Sequence, residues 1–185
     1  VQLRRTARNM SEVTGYPIVI NADRASASDG VSFWDTSLSG LNRGLQIVDG
    51  VAYRDFQTGT SQDEAFVMMH DGSHRVARIG DGKTAAQWVA DGAVWSDGGF
   101  AFLVIDGVSQ DVSADTSISD VSARTIFGRM PNGDFKIIIV EGATGVYGIG
   151  GQNMVSLCAG EGMDIAIVLD GGGSSQCWWG DAYAH

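Results

Sequence analysis

The chain has 185 residues, which is enough for one domain to bury a substantial apolar core without disulfides or a structural metal. Its formal net charge of −10 is not offset by any basic stripe, so neither a nucleic acid nor an anionic membrane is an expected partner. No apolar run approaches the ~20 residues of a membrane span, and Val1 to Met10 is basic and polar, unlike a signal peptide. We expect a single domain over 1–185, and leave open that it belongs to a larger protein.

The first half of the chain predicts short strands joined by tight turns. Its apolar runs are broken by Asp-Gly pairs, and this dipeptide tolerates the positive φ angles of hairpin turns. Hairpins are therefore expected at Asp49-Gly50 and Asp71-Gly72. The run from Tyr16 to Ile20 is typical of a buried strand. A short helix is expected from Thr84 to Ala90, with Thr84 as its N-cap.

The last third of the chain predicts a strand, a helix and a strand. Phe135 to Val140 and Ile165 to Leu169 are continuous apolar runs, which favours strands covered on both faces. Residues 151–159 between them have a helical apolar pattern. Because this order is typical of a parallel crossover, we predict an α/β or α+β fold. It would have a mixed, strongly twisted sheet with flanking helices.

Two acidic residues follow these two strands. Glu141 comes directly after the first strand and Asp170 directly after the second. Parallel strands end at one edge of a sheet, where ligands of α/β proteins bind. We therefore predict Glu141 and Asp170 as a catalytic pair, with one pKa raised by the other carboxylate. The alternative for Glu141 is a turn-capping role.

A glycine-rich loop continues from Asp170. Gly171, Gly172 and Gly173 allow a ligand to approach the backbone, and their amides suit phosphate or carboxylate oxygens. Ser174 and Ser175 add hydroxyl groups. No lysine follows the glycines as in a Walker loop. We predict substrate binding by these five residues, with a flexible loop as the alternative.

A predicted strand over residues 122–130 carries Arg124 and Thr125 among apolar residues. Arginine presents a planar fork that suits phosphate, so Arg124 is the expected anion anchor. A structural ion pair with a nearby carboxylate is the alternative.

The remaining polar residues do not predict a definite cofactor. The histidines lack zinc spacing, and oxygen ligands leave Ca²⁺ open without an EF-hand pattern. The two cysteines, Cys158 and Cys177, are expected to be buried and free, with a disulfide as the alternative.

Three segments together resemble the phosphodiester glycosidase family. They are Arg-Thr-Ile-Phe-Gly at 124–128, Ile-Ile-Ile-Val-Glu-Gly at 137–142 and Val-Leu-Asp-Gly-Gly-Gly-Ser-Ser at 168–175. Their order matches the family, and the likeness extends from about Ile18 to Trp179. The sequence departs from the family pattern at two places. The family usually has Asp where this chain has Glu141, and it usually has an aromatic pair after the position of Asn21, which this chain lacks.

The resemblance implies hydrolysis of a sugar-1-phosphodiester at its glycosidic bond, in a cell-surface or wall glycopolymer. Glu141 and Asp170 would do the acid–base work, while Arg124 and the glycine-rich loop would hold the phosphate. Asn21 and Thr125 would join the substrate-binding residues.

Two other functions remain open at this point. One is an inactive carbohydrate-binding or structural module of a phage tail or virion. The other is a metal-dependent phosphoesterase that cuts the P–O bond. The expected partner is a carbohydrate or sugar phosphate, with a homo-oligomer or virion assembly also open. The expected location is extracellular or virion-associated, with the cytoplasm as the alternative.

Overall fold

A computed structural model describes residues 7–21, 44–56, 64–98, 100–143, 145–180 and 182–184. The helices in these ranges are α1 (Ala7–Thr14), α2 (Ala85–Ala90) and α3 (Gln152–Gly160). The strands are β1 (Ile18–Ile20), β2 (Gln46–Val48), β3 (Val51–Arg54), β4 (Glu64–Met69), β5 (His74–Arg78), β6 (Ala93–Asp97), β7 (Ala101–Ile105), β8 (Val108–Ser109), β9 (Arg124–Arg129), β10 (Phe135–Val140), β11 (Ile165–Val168), β12 (Cys177–Trp179) and β13 (Ala182–Ala184).

The chain divides into two compact units. In the described ranges, one contains residues 44–56 and 64–98, and the other contains 7–21 and everything from 100 onward. The predicted α+β class is confirmed, since the units combine several sheets with few helices. That the whole of 1–185 forms one domain stays a prediction.

The first unit contains a three-stranded sheet, β5-β4-β6, and the β2-β3 hairpin. Both predicted hairpins are present, with β2 and β3 joined at Asp49-Gly50 and β4 and β5 joined around Asp71-Gly72. Asp49 and Gly50 have φ angles of 50° and 72°, the double positive that a tight hairpin turn requires. Buried side chains from β2, β4, β5, α2 and β6 form its core.

The predicted cap of α2 is confirmed as a reciprocal capping box. The Thr84 hydroxyl accepts from the Gln87 amide at 3.2 Å, and the Gln87 side chain accepts from the Thr84 amide at 2.8 Å. Each bond satisfies a donor that the first helical turn leaves unpaired. Local sequence therefore determines where this helix begins.

The second unit contains a five-stranded sheet in the order β10-β9-β11-β7-β8 and a three-stranded sheet in the order β1-β12-β13. Its core lies between α3 and the larger sheet, and includes Leu103, Ile126, Met154 and Cys158. The central strand β11 is buried at every residue. Strands β10 and β11 both run antiparallel to β9, which lies between them.

β10 and β11 therefore run in the same direction, as predicted, but they are not neighbours in the sheet. Every pair of neighbouring strands in the described ranges is antiparallel. The expectation that β10 is covered on both faces is wrong. It is an edge strand of intermediate burial. A continuous apolar run suits a half-covered edge strand as well as a strand covered on both faces, so the sequence pattern did not distinguish them.

Other details of the second unit differ from expectation. The strand near Tyr16 is short and not buried, since Ile18 is 40% exposed. Helix α1 was not predicted; its N-terminal half lies in the basic stretch. Both cysteines are free and buried, as expected. No helix in the described ranges is long and apolar enough to cross a membrane.

Candidate functional site

The ends of β10 and β11 meet the start of β9 at one edge of the larger sheet. Val140 pairs with Arg124, and the Leu169 amide donates to the Thr125 carbonyl at 2.9 Å. Glu141 directly follows β10, and Asp170 follows β11 after Leu169. They therefore leave the sheet at one end, on either side of β9.

The separation of the two acids follows from the intervening strand. Two strand spacings amount to ~9–10 Å between backbones, rather than the single ~4.8 Å spacing of neighbours. Both acids lie beyond the last residue of their strands, so the pleat does not fix the direction of either side chain. Glu141 is exposed, whereas Asp170 is half-buried.

An open cleft of ≈ 530 Å³ lies beside this sheet edge. Its lining from the β10 side includes Val140, Glu141, Gly142 and Tyr147, and its lining from the glycine-rich loop includes Gly172, Gly173, Ser175 and Gln176. Of the two predicted acids, Glu141 is among the described lining residues and Asp170 is not.

The glycine-rich loop uses most of its backbone donors internally. Four of the five amides from 171 to 175 donate within the protein. The pairs are Gly171 to Asp170 Oδ1, Gly172 to the Ala123 carbonyl, Ser174 to the Gly171 carbonyl and Ser175 to the Gly172 carbonyl. The Gly173 amide donates to none of the described residues. If the loop binds an anion through its backbone, Gly173 is the donor that remains for it.

Two positions in the loop are restricted to glycine for different reasons. At Gly171 a Cβ would lie 2.8 Å from the Ala123 carbonyl oxygen and 3.0 Å from Arg124 Nη1. Gly172 has a φ of 59°, in the left-handed region that favours glycine. Backbone geometry therefore accounts for glycine at these two positions, independently of any ligand.

Asn21 connects three parts of the site. Its Nδ2 donates to the Asp170 carbonyl at 2.7 Å. Its Oδ1 accepts from the Thr125 hydroxyl and from the Gln176 amide, both at 2.8 Å. Asn21 thus holds the glycine-rich loop against β9. The roles of Asn21 and Thr125 in substrate binding stay predictions.

The Arg124 guanidinium is engaged with Asp120. Its Nη2 donates to the Asp120 carboxylate at 2.6 Å and to the Asp120 carbonyl at 2.8 Å. The Arg124 side chain is 8% exposed, and its buried Nε has no hydrogen-bond partner among the described residues. This is the ion pair that the sequence left open as an alternative. An anion-binding role for Arg124 stays a prediction.

The segment after β10 packs closely against residues 119–123. A Cβ at Gly142, Gly148 or Gly150 would lie 2.2–2.6 Å from backbone atoms of this stretch or of the segment itself. Ser122 and Ile149 form a bridge there. Glycine therefore lets two irregular backbones lie against each other beside the cleft.

Metal-binding side chains do not cluster in the described part of the chain. No three His, Cys, Asp or Glu residues come together there as a metal site requires. Calcium binding stays a prediction.

Among the polar and aromatic side chains that line the cleft in the described residues, sequence reasoning missed Tyr147 and Gln176. Tyr147 lies in an irregular turn and carries no local motif. Gln176 follows the Gly-Ser string, and a pattern centred on glycines and acids gives it no weight.

Comparison with known proteins agrees with the motifs. A family model described as phosphodiester glycosidase matches residues 14–184. The SPbeta prophage-derived uncharacterized protein YomE of Bacillus subtilis (strain 168) is 30% identical over 178 residues, covering 94% of this chain and 26% of that protein. The chain thus spans about a quarter of this relative's length.

A solved structure has a similar fold. It is the zebrafish N-acetylglucosamine-1-phosphodiester alpha-N-acetylglucosaminidase catalytic domain, auto-inhibited by its pro-peptide. The TM-score is 0.76 at 18% identity, covering 99% of this chain and 60% of that chain. At that identity the match establishes the fold. The predicted family resemblance is confirmed by the family model and this structure.

Proposed function

The chain belongs to the phosphodiester glycosidase family, and from that premise we propose that it hydrolyses the glycosidic bond of a sugar-1-phosphodiester. The family supports a glycosidase-type function and a carbohydrate-type substrate. The finer proposal is a substrate in a cell-surface or cell-wall glycopolymer, with N-acetylglucosamine-1-phosphate diesters as the first candidates. The product would be free sugar, with the phosphate left on its carrier.

One observation carries this proposal. The two strands followed by Glu141 and Asp170 end at the same sheet edge, beside an open cleft lined by the glycine-rich loop. A carboxylate pair and a ligand-sized cleft at one edge are what glycoside hydrolysis requires. The motifs that carry the family resemblance converge on this edge.

The proposed reaction assigns complementary roles to the two carboxyl groups. One, ionised, takes a proton from water as the water oxygen bonds to the anomeric carbon. The other, protonated, gives its proton to the phosphate oxygen as the bond between that oxygen and the anomeric carbon breaks. Arg124, Gly173 and the serines of the loop are the proposed contacts to the phosphate.

The strand spacing favours inversion of the anomeric carbon. Inverting enzymes separate their carboxyl groups by about 6.5–9.5 Å, and retaining enzymes by about 5–5.5 Å. Glu141 and Asp170 leave strands that flank β9, ~9–10 Å apart at the backbone. A water molecule fits between carboxyl groups at the larger distance, so we expect the first product anomer to be inverted.

Release of free sugar from a sugar-1-phosphodiester panel tests the function. We expect Asp170→Asn and Glu141→Gln each to lower kcat by about 10²–10⁴, the usual contribution of a general acid or base. Asp111→Asn is the matched control, because Asp111 is exposed and is not among the cleft-lining residues. A wild type that releases no sugar from any member, with or without Ca²⁺, would refute the proposal.

A second candidate function is a non-catalytic carbohydrate-binding or structural module of a phage particle. The observation that favours it is the prophage origin of the relative that is 30% identical. It would place the chain in a virion or outside the cell, within a larger assembly or a homo-oligomer. Glycan binding that is unchanged in Asp170→Asn and accompanied by no turnover is its expected signature.

A further inference from the structure

We propose that the cleft beside Glu141 is a subsite for a neutral sugar ring, with Gln176 as its hydrogen-bond donor and Tyr147 as its apolar contact. The proposal rests on the proposed function, and it assigns specificity to two residues that the motifs do not include. It assigns the sugar ring to the part of the cleft beside Glu141 and leaves the phosphate to the glycine-rich loop.

Gln176 is anchored at three of its atoms. Its amide donates to Asn21 Oδ1 at 2.8 Å, and its carbonyl accepts from the Asn21 amide at 3.1 Å. Its Oε1 accepts from the Ala7 amide at 3.2 Å. Since the Ala7 amide can only donate, the side-chain atom facing it is the oxygen, and the orientation of the Gln176 amide group is fixed.

With Oε1 held by the Ala7 amide, Nε2 is the Gln176 side-chain group that we assign to the ligand. Gln176 lines the cleft, and its Nε2 has no hydrogen-bond partner among the described residues. A neutral NH₂ donor of fixed orientation suits a sugar hydroxyl or acetamido oxygen. Because the anchoring bonds already order the side chain, little conformational entropy is lost when the ligand binds.

The charge of the cleft favours a neutral occupant over a phosphate. Among the described lining residues, Glu141 is the only charged one, and it is anionic. The guanidinium of Arg124 pairs with Asp120 and is not part of this lining. A phosphate placed beside Glu141 would be repelled, whereas a sugar ring is not.

Tyr147 supplies apolar area at the same cleft. It lines the cleft and is 59% exposed, so most of its surface is not covered by the protein. Its position is held by backbone bonds, since Tyr147 and Ala143 form a bridge. An aromatic residue on a fixed turn presents large contact area at small entropic cost. The volume, ≈ 530 Å³, is in the range of small-molecule sites.

Binding of neutral sugars tests the proposal without requiring turnover. The probes are N-acetylglucosamine, N-acetylgalactosamine, glucose and galactose, and inorganic phosphate is the competitor. Binding is measured by ligand-observed NMR and by calorimetry. We expect at least one sugar to bind saturably. Inorganic phosphate in roughly 50-fold excess over the sugar should not displace it. Tyr147→Ala should weaken binding by about tenfold.

Gln176 variants separate the donor from the anchor. Gln176→Glu keeps an acceptor for the Ala7 amide but removes the donor, and should weaken sugar binding by about fivefold to tenfold. Tyr147→Phe should bind like the wild type. Tyr53→Ala and Gln110→Glu are matched controls, because Tyr53 is similarly exposed and neither residue lines the cleft.

The outcomes distinguish this proposal from the proposed function. Sugar binding that depends on Tyr147 and Gln176 supports the subsite even when no diester is hydrolysed. Turnover that is unchanged in both variants overturns the subsite and leaves the glycosidase intact. Displacement of the sugar by phosphate, or failure of every sugar to bind, also overturns it.

Discussion

The two segments that border the cleft are held in place by different means. The glycine-rich loop, 170–176, is fastened by the Asn21 side chain, which makes three hydrogen bonds to partners 104 to 155 positions away. The segment 141–150 is fastened by backbone packing against 119–123, at glycines where no Cβ fits. The first attachment depends mainly on hydrogen bonds, three of them made by one side chain, and the second depends mainly on the absence of side chains.

This difference has consequences for substitution. A clash between backbones cannot be relieved by a rotamer change, whereas a lost side-chain bond leaves groups that shift or take up water. Gly142, Gly148 and Gly150 should therefore tolerate substitution least. The glycine-rich loop should respond in smaller steps, according to how many bonds are removed.

The largest effect is expected for Gly150→Ala. Its Cβ would lie 2.2 Å from the Asp120 carbonyl oxygen, so one backbone must move, at a cost of roughly 3 kcal/mol or more. Urea unfolding gives the free energy. Gly145→Ala is the control, because Gly145 has a φ of 72° and open space around it, so only about 1 kcal/mol of backbone strain applies. Equal losses in both variants would contradict the packing argument.

The next effect is expected for Asn21→Ala. It leaves the buried Thr125 hydroxyl, the Gln176 amide and the Asp170 carbonyl without their partner. We expect a loss of about 2–3 kcal/mol in the free energy of unfolding, and faster hydrogen exchange at the Gln176 amide. Thr125→Val removes one of these bonds with little change in shape and should cost about 1 kcal/mol. A Thr125→Val loss as large as that of Asn21→Ala would contradict the role of Asn21 as the hub.

The smallest effect concerns pH. Burial, assisted by the Glu161 carboxylate, raises the pKa of the Cys158 thiol to about 11, and burial raises the pKa of Cys177. A raised thiol pKa leaves stability intact below the unfolded value, about 8.5, and removes it as the pH rises toward the folded value. Above about pH 9 the free energy of unfolding should therefore fall, by at most about 1.4 kcal/mol per pH unit for each thiol and by less where solvent screens the charge.

Alanine variants of the two cysteines check this pH dependence. The alkaline loss should shrink in Cys158→Ala, whose thiol lies on the helix that follows segment 141–150. It should shrink less in Cys177→Ala, whose thiol follows the glycine-rich loop. If the free energy of unfolding of Cys158→Ala fell with pH as steeply as that of the wild type, the raised pKa of this thiol would not be the cause of the alkaline loss.

Turn and cap chemistry made the local features predictable. Asp49-Gly50 and the Thr84 cap act through atoms within a few residues, so their patterns are readable in one stretch of sequence. The direction of β10 and β11 was predictable because a helix separates them. That β10 and β11 are not neighbours was not predictable, since the placement of β9 between them depends on pairing across the whole sheet.

The site was predictable only in part, for the same reason. Motifs located the Glu141 and Asp170 ends and the glycine-rich loop at one edge. They left an Arg124 ion pair open as an alternative without naming Asp120, and they did not predict that Asn21 reaches Gln176 across 155 positions. The first contact spans only four positions and the second spans 155, but each depends on a single side chain, and single residues in loops carry no periodic signal.

The bond that is broken tests the central claim most directly. The chain is incubated with a sugar-1-phosphodiester in ¹⁸O-labelled water, and the products are analysed by mass spectrometry. Hydrolysis by a glycosidase predicts the label on the anomeric oxygen of the free sugar and none on the phosphate. Label on the phosphate, with release of unlabelled free sugar or of sugar 1-phosphate, would contradict the account and identify a phosphoesterase that cuts the P–O bond.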